Sequence, residues 1–241
     1  ATCTAEGTFE LDASIMEGKD LSAGAVAGLK HVKHPINAAY AVKTKSPHVM
    51  LSGAGAEEFA KEQGLEMVED NMYFATPKTM EWIEKLKQES KKNGTVGCVV
   101  LDKQGNLTAG TSTGGMFKKR WGRIGDSPVI GAGTYADNNS CAVSCTGHGE
   151  YFIRHAVAFD VCARYKYLKE SVEKAADYII HTELNTNAGN GGLIAVDKLG
   201  NIAMPYNSGG MFRGFLYKEK GSPEIKKGCG IGKKIVVVGE K

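Results

Sequence analysis

The chain has 241 residues, of which 42% are hydrophobic and 24% charged, and its formal net charge is +3. These values are typical of one globular domain with a substantial core. No segment approaches the roughly 18 consecutive apolar residues of a membrane span, and so small a charge does not indicate a nucleic-acid partner. Six cysteines over this length favour a reducing compartment, so we expect a cytoplasmic protein.

Four cysteines lie in apolar segments, where the reduced residue packs as a small hydrophobic side chain: Cys98, Cys141, Cys145 and Cys162. Cys141 and Cys145, followed by His148, have a metal-like spacing. However, the two cysteines lie four apart on a strand-like run, and no fourth ligand follows at a zinc-site spacing. The sequence therefore predicts no metal site here, and it gives His148 a supporting role at most.

In the first half of the chain, a helix signal precedes a strongly polar segment. Thr76 and Pro77 are a typical N-cap and first helical residue, and the helix presents Met80, Ile83 and Leu86 as its apolar face. Residues 88–93 that follow are polar, so we expect an accessible and mobile backbone there. An apolar run, T-V-G-C-V-V-L, begins directly after Gly94 and predicts a buried strand.

Two segments, 97–113 and 192–208, repeat each other. Each predicts a strand, a D-x-x-G-N turn and a second strand, because aspartate accepts local backbone hydrogen bonds and glycine supplies a positive φ. The strands are apolar at nearly every position, which favours sheets covered on both faces. The copies end in the similar exits T-G-G-M-F and S-G-G-M-F, and loops at one edge of a layered domain often carry sites. Two such common turns need not share a role.

Two helices are predicted between these hairpins. In residues 149–169 an apolar stripe is formed by Phe152, Ala156, Phe159 and Ala163. Ser171 is a suitable N-cap for the second helix, whose apolar face comprises Val172, Ala175, Ala176, Ile179 and Ile180. Near the end, residues 228–233 predict a glycine-rich connection into a strand over 235–238. Stacked hairpin sheets with helices outside predict a layered α/β fold, an αββα sandwich formed by the single domain 1–241.

The Gly94-Thr95 bond stands between the polar segment and a strand. If the chain cuts itself there, Thr95 supplies both a nucleophilic hydroxyl and a free α-amine, whose unperturbed pKa of about 7.7 suits a general base at neutral pH. Gly94 permits backbone geometries that a Cβ blocks. The plain alternative is that Gly-Thr merely opens a strand.

Several long motifs share their order with one known family. They are D-A-S-I-M-E-G-K-D-L-S-A-G-A-V, the run from Thr95 to T-S-T-G-G-M, G-R-I-G-D-S-P-V-I-G-A-G-T-Y-A-D-N, C-T-G-H-G-E and P-Y-N-S-G-G-M-F-R-G. Over nearly its whole length the chain resembles the plant-type L-asparaginase/isoaspartyl aminopeptidase family of N-terminal nucleophile hydrolases. The resemblance implies the same αββα fold and cleavage at Gly94-Thr95 into parts 1–94 and 95–241.

The resemblance also implies roles for individual residues. Thr95 matches the nucleophile, Thr113 a threonine that orients it, and Thr146 with Gly147 the oxyanion hole, although on spacing alone the last two threonines read as β-branched strand residues. Three further residues match the substrate anchors: Arg123 for the α-carboxylate, Asp126 for the α-ammonium, and Gly149, whose carbonyl contacts the ammonium. Arg123 and Asp126 could equally form a loop ion pair of little energetic value.

The implied activity is hydrolysis of L-asparagine and of β-aspartyl dipeptides, without a cofactor apart from a possible sodium or potassium ion, by a dimer of αβ units. Relative to the family, the chain begins after an initial strand and helix, and its linker before Thr95 is short. These departures favour an alternative, an uncleaved or truncated non-catalytic homologue. Glycosylasparaginase or taspase-like protease activity is the other alternative within the family.

Overall fold

The computed structural model describes residues 1–84, 93–218, 225–230 and 236–238. Its largest sheet contains five strands: β1 (Leu11–Glu17), β2 (Ala23–Leu29), β3 (Met50–Ser52), β4 (Asn93–Leu101) and β5 (Leu107–Met116). Their order across the sheet is β3-β2-β1-β5-β4, with only the β2–β3 pair parallel. The strand that begins near Thr95 is thus, among the described strands, one of the two edge strands of this sheet.

A second sheet has four antiparallel strands in the order β6-β7-β8-β9. Their bounds are β6 (Thr134–Ala136), β7 (Cys141–Gly147), β8 (Gly191–Asp197) and β9 (Ile202–Ala203). A small antiparallel sheet follows, formed by β10 (Arg213–Lys218), β11 (Ile225–Gly230) and β12 (Val236–Val238). The strand expected over 235–238 is confirmed for 236–238, whereas residues 228–230, expected in a connection, belong to β11.

The helices form the two outer layers. Their bounds are α1 (Pro35–Lys45), α2 (Gly53–Glu62), α3 (Pro77–Glu84), α4 (Gly149–Arg154), α5 (Val157–Leu168), α6 (Val172–Tyr178) and α7 (Leu184–Thr186), with a 3₁₀ turn at Asn71–Phe74 and a π-helical turn at Ile179–Glu183. Helices α1 and α2 pack on the outer face of the five-stranded sheet, and α5 and α6 pack on that of the four-stranded sheet. The predicted αββα sandwich is confirmed.

The two sheets are stacked through small and polar side chains at one end. Thr111 and Ser144 hydroxyls lie 2.7 Å apart across the sandwich, and Ser14 donates to Thr134 at 2.8 Å. A Cβ on Gly97 would lie 2.1 Å from Ser144 Oγ, so only glycine fits at that position. The opposite end is filled by apolar side chains: Met16, Leu107, Ala109, Ala142 and Val196. The inner face thus changes from apolar to hydroxyl-rich toward the end that carries Thr95.

Both predicted D-x-x-G-N turns are confirmed. Asp102 Oδ1 accepts main-chain hydrogen bonds from residues 104 and 106, and Asp197 Oδ1 accepts them from residues 199 and 201, at 2.7–2.9 Å. The glycines at 105 and 200 have φ values of 85° and 90°. The second hairpin is shorter than expected, because β9 ends at Ala203 and Pro205, which lacks an N–H, soon follows.

The helical prediction for 149–169 was wrong in one respect. Ala156 has a φ of 45°, so the segment is divided into α4 and α5 instead of forming one helix. Phe152 is buried as expected, but Ala156 and Phe159 are exposed, and the face of α5 that packs on the sheet comprises Val157, Ala158, Val161 and Cys162. In contrast, the Ser171 N-cap and all five predicted apolar residues of the next helix are confirmed.

Strand β4 is less covered than predicted. Helices α1 and α2 lie over β1 and β2, so the outward-facing residues of β4 meet solvent: Val96 is 68% exposed, Val100 is 46% exposed, and Cys98 is exposed as well. Cys98 therefore does not pack in the core, unlike the other three cysteines.

In α3, Thr76 accepts a hydrogen bond from Thr79 N as an N-cap does. Met80, predicted to lie on the apolar face of this helix, is exposed. The predictions for the Ile83 side chain, for Leu86 and for the mobility of residues 88–92 fall outside what the structure describes.

Candidate active site

Thr95 and Thr113 lie opposite each other on β4 and β5, with their hydroxyl oxygens 3.1 Å apart. Thr113 Oγ1 donates to the main-chain oxygen of Gly94 at 2.9 Å and accepts from Gly115 N–H at 2.9 Å. A hydroxyl carries one proton, so the Thr95 hydroxyl is the donor in its contact with Thr113. Thr113 therefore contacts both the hydroxyl of Thr95 and the carbonyl of the bond that precedes it.

Gly94 does not need to be glycine in the intact chain. Its φ lies outside the left-handed region, and a Cβ placed on it meets Thr2 Cγ2 at 3.9 Å as its nearest neighbour. The prediction that the attack on the Gly94 carbonyl needs a backbone geometry that a Cβ blocks concerns the cleavage step, and it stays a prediction.

Thr95, Thr113 and Asp12 form a row of side chains across β4, β5 and β1. Asp12 is a buried residue that the motif analysis did not single out. Asp12 lies opposite Thr113 on β1, and its Oδ1 accepts from Gly28 N–H at 2.8 Å. Its Oδ2 has no hydrogen-bond partner among the described residues and lies 4.0 Å from the Nζ of the buried Lys119. Burial raises the pKa of Asp12, and the charge of Lys119 partly offsets that rise.

Thr146 and Gly147 end β7 at the same end of the sandwich. Gly97 faces Ser144, so Thr95, two residues before Gly97 on the same face, is directed toward Thr146, two residues after Ser144. The Thr146 side chain is half-buried at this end of the sandwich.

Arg123, Asp126 and Gly149 converge beside this row. A Cβ on Gly149 would lie 2.8 Å from Arg123 Nη2 and 2.9 Å from Asp126 Oδ1, so any side chain at 149 would displace both charged groups. Asp126 is almost completely buried, and its Oδ2 finds no hydrogen-bond partner within the described ranges. The charges of Arg123 and Asp12 both act on the pKa of Asp126, Arg123 lowering it and Asp12 raising it, so the charged group lies within electrostatic range of Asp12.

Glu150 is a site residue that sequence reasoning missed. Arg123 donates to its two carboxylate oxygens from Nε at 2.8 Å and from Nη2 at 2.9 Å, and His148 Nε2 lies 3.3 Å from Oε2. This bidentate pair lowers the pKa of Glu150. The ion pair of Arg123 is therefore with Glu150 and not with Asp126, and it orients the guanidinium. The acidic residue directly after Gly149 in T-G-H-G-E was the available signal.

Comparison with known proteins identifies the family of this chain and several relatives. The family model described as asparaginase matches residues 1–225. The isoaspartyl peptidase of Salmonella typhimurium is 48% identical over 231 residues, which cover 90% of this chain and 74% of that protein. The isoaspartyl peptidase of Escherichia coli is 43% identical over 244 residues, covering 92% and 76%. A probable isoaspartyl peptidase/L-asparaginase 2 of Arabidopsis thaliana is 43% identical over 243 residues, covering 88% and 74%.

The chain belongs to the asparaginase family.

This asparaginase-family chain is a hydrolase of the threonine-nucleophile type. Over the described residues, no group of three or more His, Cys, Asp or Glu side chains is arranged to hold a metal ion. None of the helices in the part of the chain that the structure describes combines the length and hydrophobicity needed to span a bilayer. In the similar S-G-G-M-F segment, the Ser208 hydroxyl donates to Gly210 O at 3.2 Å.

In this member of the asparaginase family, burial raises the pKa of Asp126 from 3.8 to about 7, while Arg123 opposes the rise. The carboxyl must ionise to bind an ammonium, so binding strengthens as the pH rises through that pKa. We expect calorimetry to show L-aspartate binding about tenfold more tightly at pH 8 than at pH 6, because the ionised fraction rises by about that factor. Asp126→Asn should bind weakly at both pH values; an equally steep pH dependence in that variant would contradict the assignment.

Proposed function

We propose that the chain cleaves itself before Thr95 and then hydrolyses the side-chain amide of L-asparagine and the isopeptide bond of β-aspartyl peptides. The observation that carries this proposal is the contact of Thr113 with both the Thr95 hydroxyl and the Gly94 carbonyl. The relatives named above, isoaspartyl peptidases and a probable isoaspartyl peptidase/L-asparaginase, support the substrate class. In this proposal parts 1–94 and 95–241 remain one domain, and two such αβ units form a dimer.

Self-cleavage begins with attack of Thr95 Oγ1 on the carbonyl carbon of Gly94. The new C–O bond forms as the C–N bond breaks, and the hydroxyl proton ends on the Thr95 nitrogen, so an ester replaces the amide. Thr113, which donates to the Gly94 oxygen at 2.9 Å, stabilises the charge that develops on it. Water then hydrolyses the ester, leaving a Gly94 carboxylate and a free Thr95 hydroxyl and α-amine.

In the hydrolytic reaction the free α-amine takes the proton of the Thr95 hydroxyl as that oxygen attacks the substrate's side-chain carbonyl. Thr146 and the Gly147 backbone stabilise the oxyanion, and the proton passes to the leaving ammonia or amine. Water attacks the resulting acyl-enzyme and releases aspartate. Arg123 and Asp126 hold the α-carboxylate and α-ammonium, so the reacting carbonyl is presented to Thr95 with little freedom to reorient.

N-terminal sequencing and intact mass after prolonged incubation test the proposal, together with ammonia release from L-asparagine. We expect two fragments, one ending at Gly94 and one starting with Thr95, and activity that increases with the cleaved fraction. A single uncleaved chain without activity would support the alternative of a non-catalytic homologue. Activity in a chain that stays uncleaved would overturn the mechanism, and activity on glycosylated asparagine alone would favour a glycosylasparaginase.

A further inference from the structure

Asn207, in the segment between β9 and β10, joins three neighbouring parts of the backbone. It forms reciprocal hydrogen bonds with Gly191: its N–H donates to Gly191 O at 2.9 Å, and its Oδ1 accepts from Gly191 N–H at 2.8 Å. Its Nδ2 shares two protons among three acceptors, Ile180 O at 3.1 Å, Asn185 Oδ1 at 2.7 Å and Gly189 O at 3.0 Å. Every polar atom of this side chain therefore faces the segment that leads into β8.

That segment lies in unusually close contact with the end of β7. Gly147 and Gly191 are paired, and a Cβ on Gly147 would lie 2.4 Å from Asn190 O and 2.7 Å from Gly191 Cα. A Cβ on Gly191 would lie 2.3 Å from Thr146 O. His148 N–H also donates to Asn190 O at 2.9 Å. With no space between these backbones, the position of Gly191 determines the position of Gly147.

We propose that Asn207 is a positioning residue, which fixes the Gly189–Gly191 backbone and through it the Thr146–Gly147 backbone of the oxyanion hole. The inference rests on the proposed function, because it assigns that hole to Thr146 and Gly147. Only a side-chain amide meets the requirement, since one atom accepts from an N–H while the other donates to oxygens. A carboxylate in its place directs a negative oxygen at acceptors.

Asn207→Asp tests the role, because aspartate keeps the shape of the side chain and replaces the Nδ2 donors by a negatively charged oxygen. We expect kcat per Thr95-cleaved chain to fall about 10- to 100-fold. Outright removal of one oxyanion donor typically costs about 10²–10³-fold, and here the donor is displaced and not removed. KM for L-asparagine should stay within about twofold, since Arg123 and Asp126 hold the substrate. Amide exchange at His148, whose N–H donates to Asn190 O, should accelerate.

The matched control is Asn201→Asp. Asn201 Nδ2 donates to Asp197 Oδ2 at 2.8 Å in a turn at the opposite end of β8, so it loses a similar bond away from the site. We expect its kcat and KM, per cleaved chain, to match the wild type. A merely structural role for Asn207 predicts similar behaviour of the two variants.

If Asn207→Asp does not fold, Asn207→Ala replaces it, since this variant keeps the main-chain hydrogen bond from residue 207 to Gly191 O. We expect the same fall in kcat and the same faster amide exchange at His148. A kcat within about twofold of the wild type, or unchanged exchange at His148, would overturn the inference. If the wild-type chain itself neither cleaves nor releases ammonia, the proposed function fails, whereas exchange at His148 still decides whether Asn207 fixes this backbone.

Discussion

Thr95→Ala is expected to leave the chain uncut and without measurable ammonia release from L-asparagine. The variant lacks the hydroxyl that attacks the Gly94 carbonyl, so no α-amine is freed and no acyl-enzyme forms. Its fold should be retained, because the hydroxyl contacts only Thr113 among the described side chains and the strand pairing with β5 is unaffected. Intact mass, circular dichroism and an ammonia assay measure the three consequences.

Ser112→Ala is the control for this variant. Ser112 lies next to Thr113 on β5, with its side chain on the opposite face of the sheet. The substitution therefore removes a neighbouring hydroxyl without changing the pair formed by Thr95 and Thr113. It should cleave and hydrolyse asparagine as the wild type does. Ammonia release by Thr95→Ala at the wild-type rate would exclude Thr95 as the nucleophile.

Thr113→Val is expected to slow self-cleavage and to lower kcat/KM of the cleaved fraction, each by about 10²–10³-fold. Valine has a similar shape but lacks the hydroxyl that donates to Gly94 O and that the Thr95 hydroxyl contacts. It also leaves Gly115 N–H without its acceptor, which costs about 1–3 kcal/mol of stability. The time course of the cleaved fraction by mass spectrometry and steady-state kinetics separate the two effects.

Thr108→Val provides the matched comparison, since Thr108 lies on the same strand with its side chain on the other face. That variant should show wild-type cleavage and kinetics. Equal losses in the two variants would indicate that β5 is sensitive to any such change, and normal cleavage of Thr113→Val would remove Thr113 from the self-cleavage step.

Local sequence signals predicted several elements well, because single residues determine them. Aspartate and glycine specify both hairpin turns, and Ser171 begins α6 by accepting a main-chain hydrogen bond. Periodicity failed where tertiary contacts decide. The left-handed Ala156 rotates α5 relative to α4, so a stripe drawn through Phe152 and Phe159 does not describe one face.

For the candidate site, the motifs identified residues that the structure brings together, including the Thr95–Thr113 pair and the Arg123–Asp126–Gly149 group. They did not identify Glu150 or Asp12. The importance of Glu150 depends on a hydrogen bond to an arginine 27 positions away, and that of Asp12 depends on which strand neighbours β5. Both relationships arise only when the sheets and loops are assembled.

The narrow, hydroxyl-lined end of the sandwich has a consequence for how this enzyme can lose activity. Thr95, the proposed nucleophile, belongs to one sheet, and Thr146 and Gly147, the proposed oxyanion hole, belong to the other. Between them Gly97 packs directly against Ser144, which fixes the separation of the two sheets. A movement of one loop among the described residues therefore cannot change the distance between Thr95 and the Thr146–Gly147 backbone; the two sheets must separate. Catalytic geometry and global stability are coupled, so thermal inactivation should coincide with cooperative unfolding of the whole domain rather than precede it.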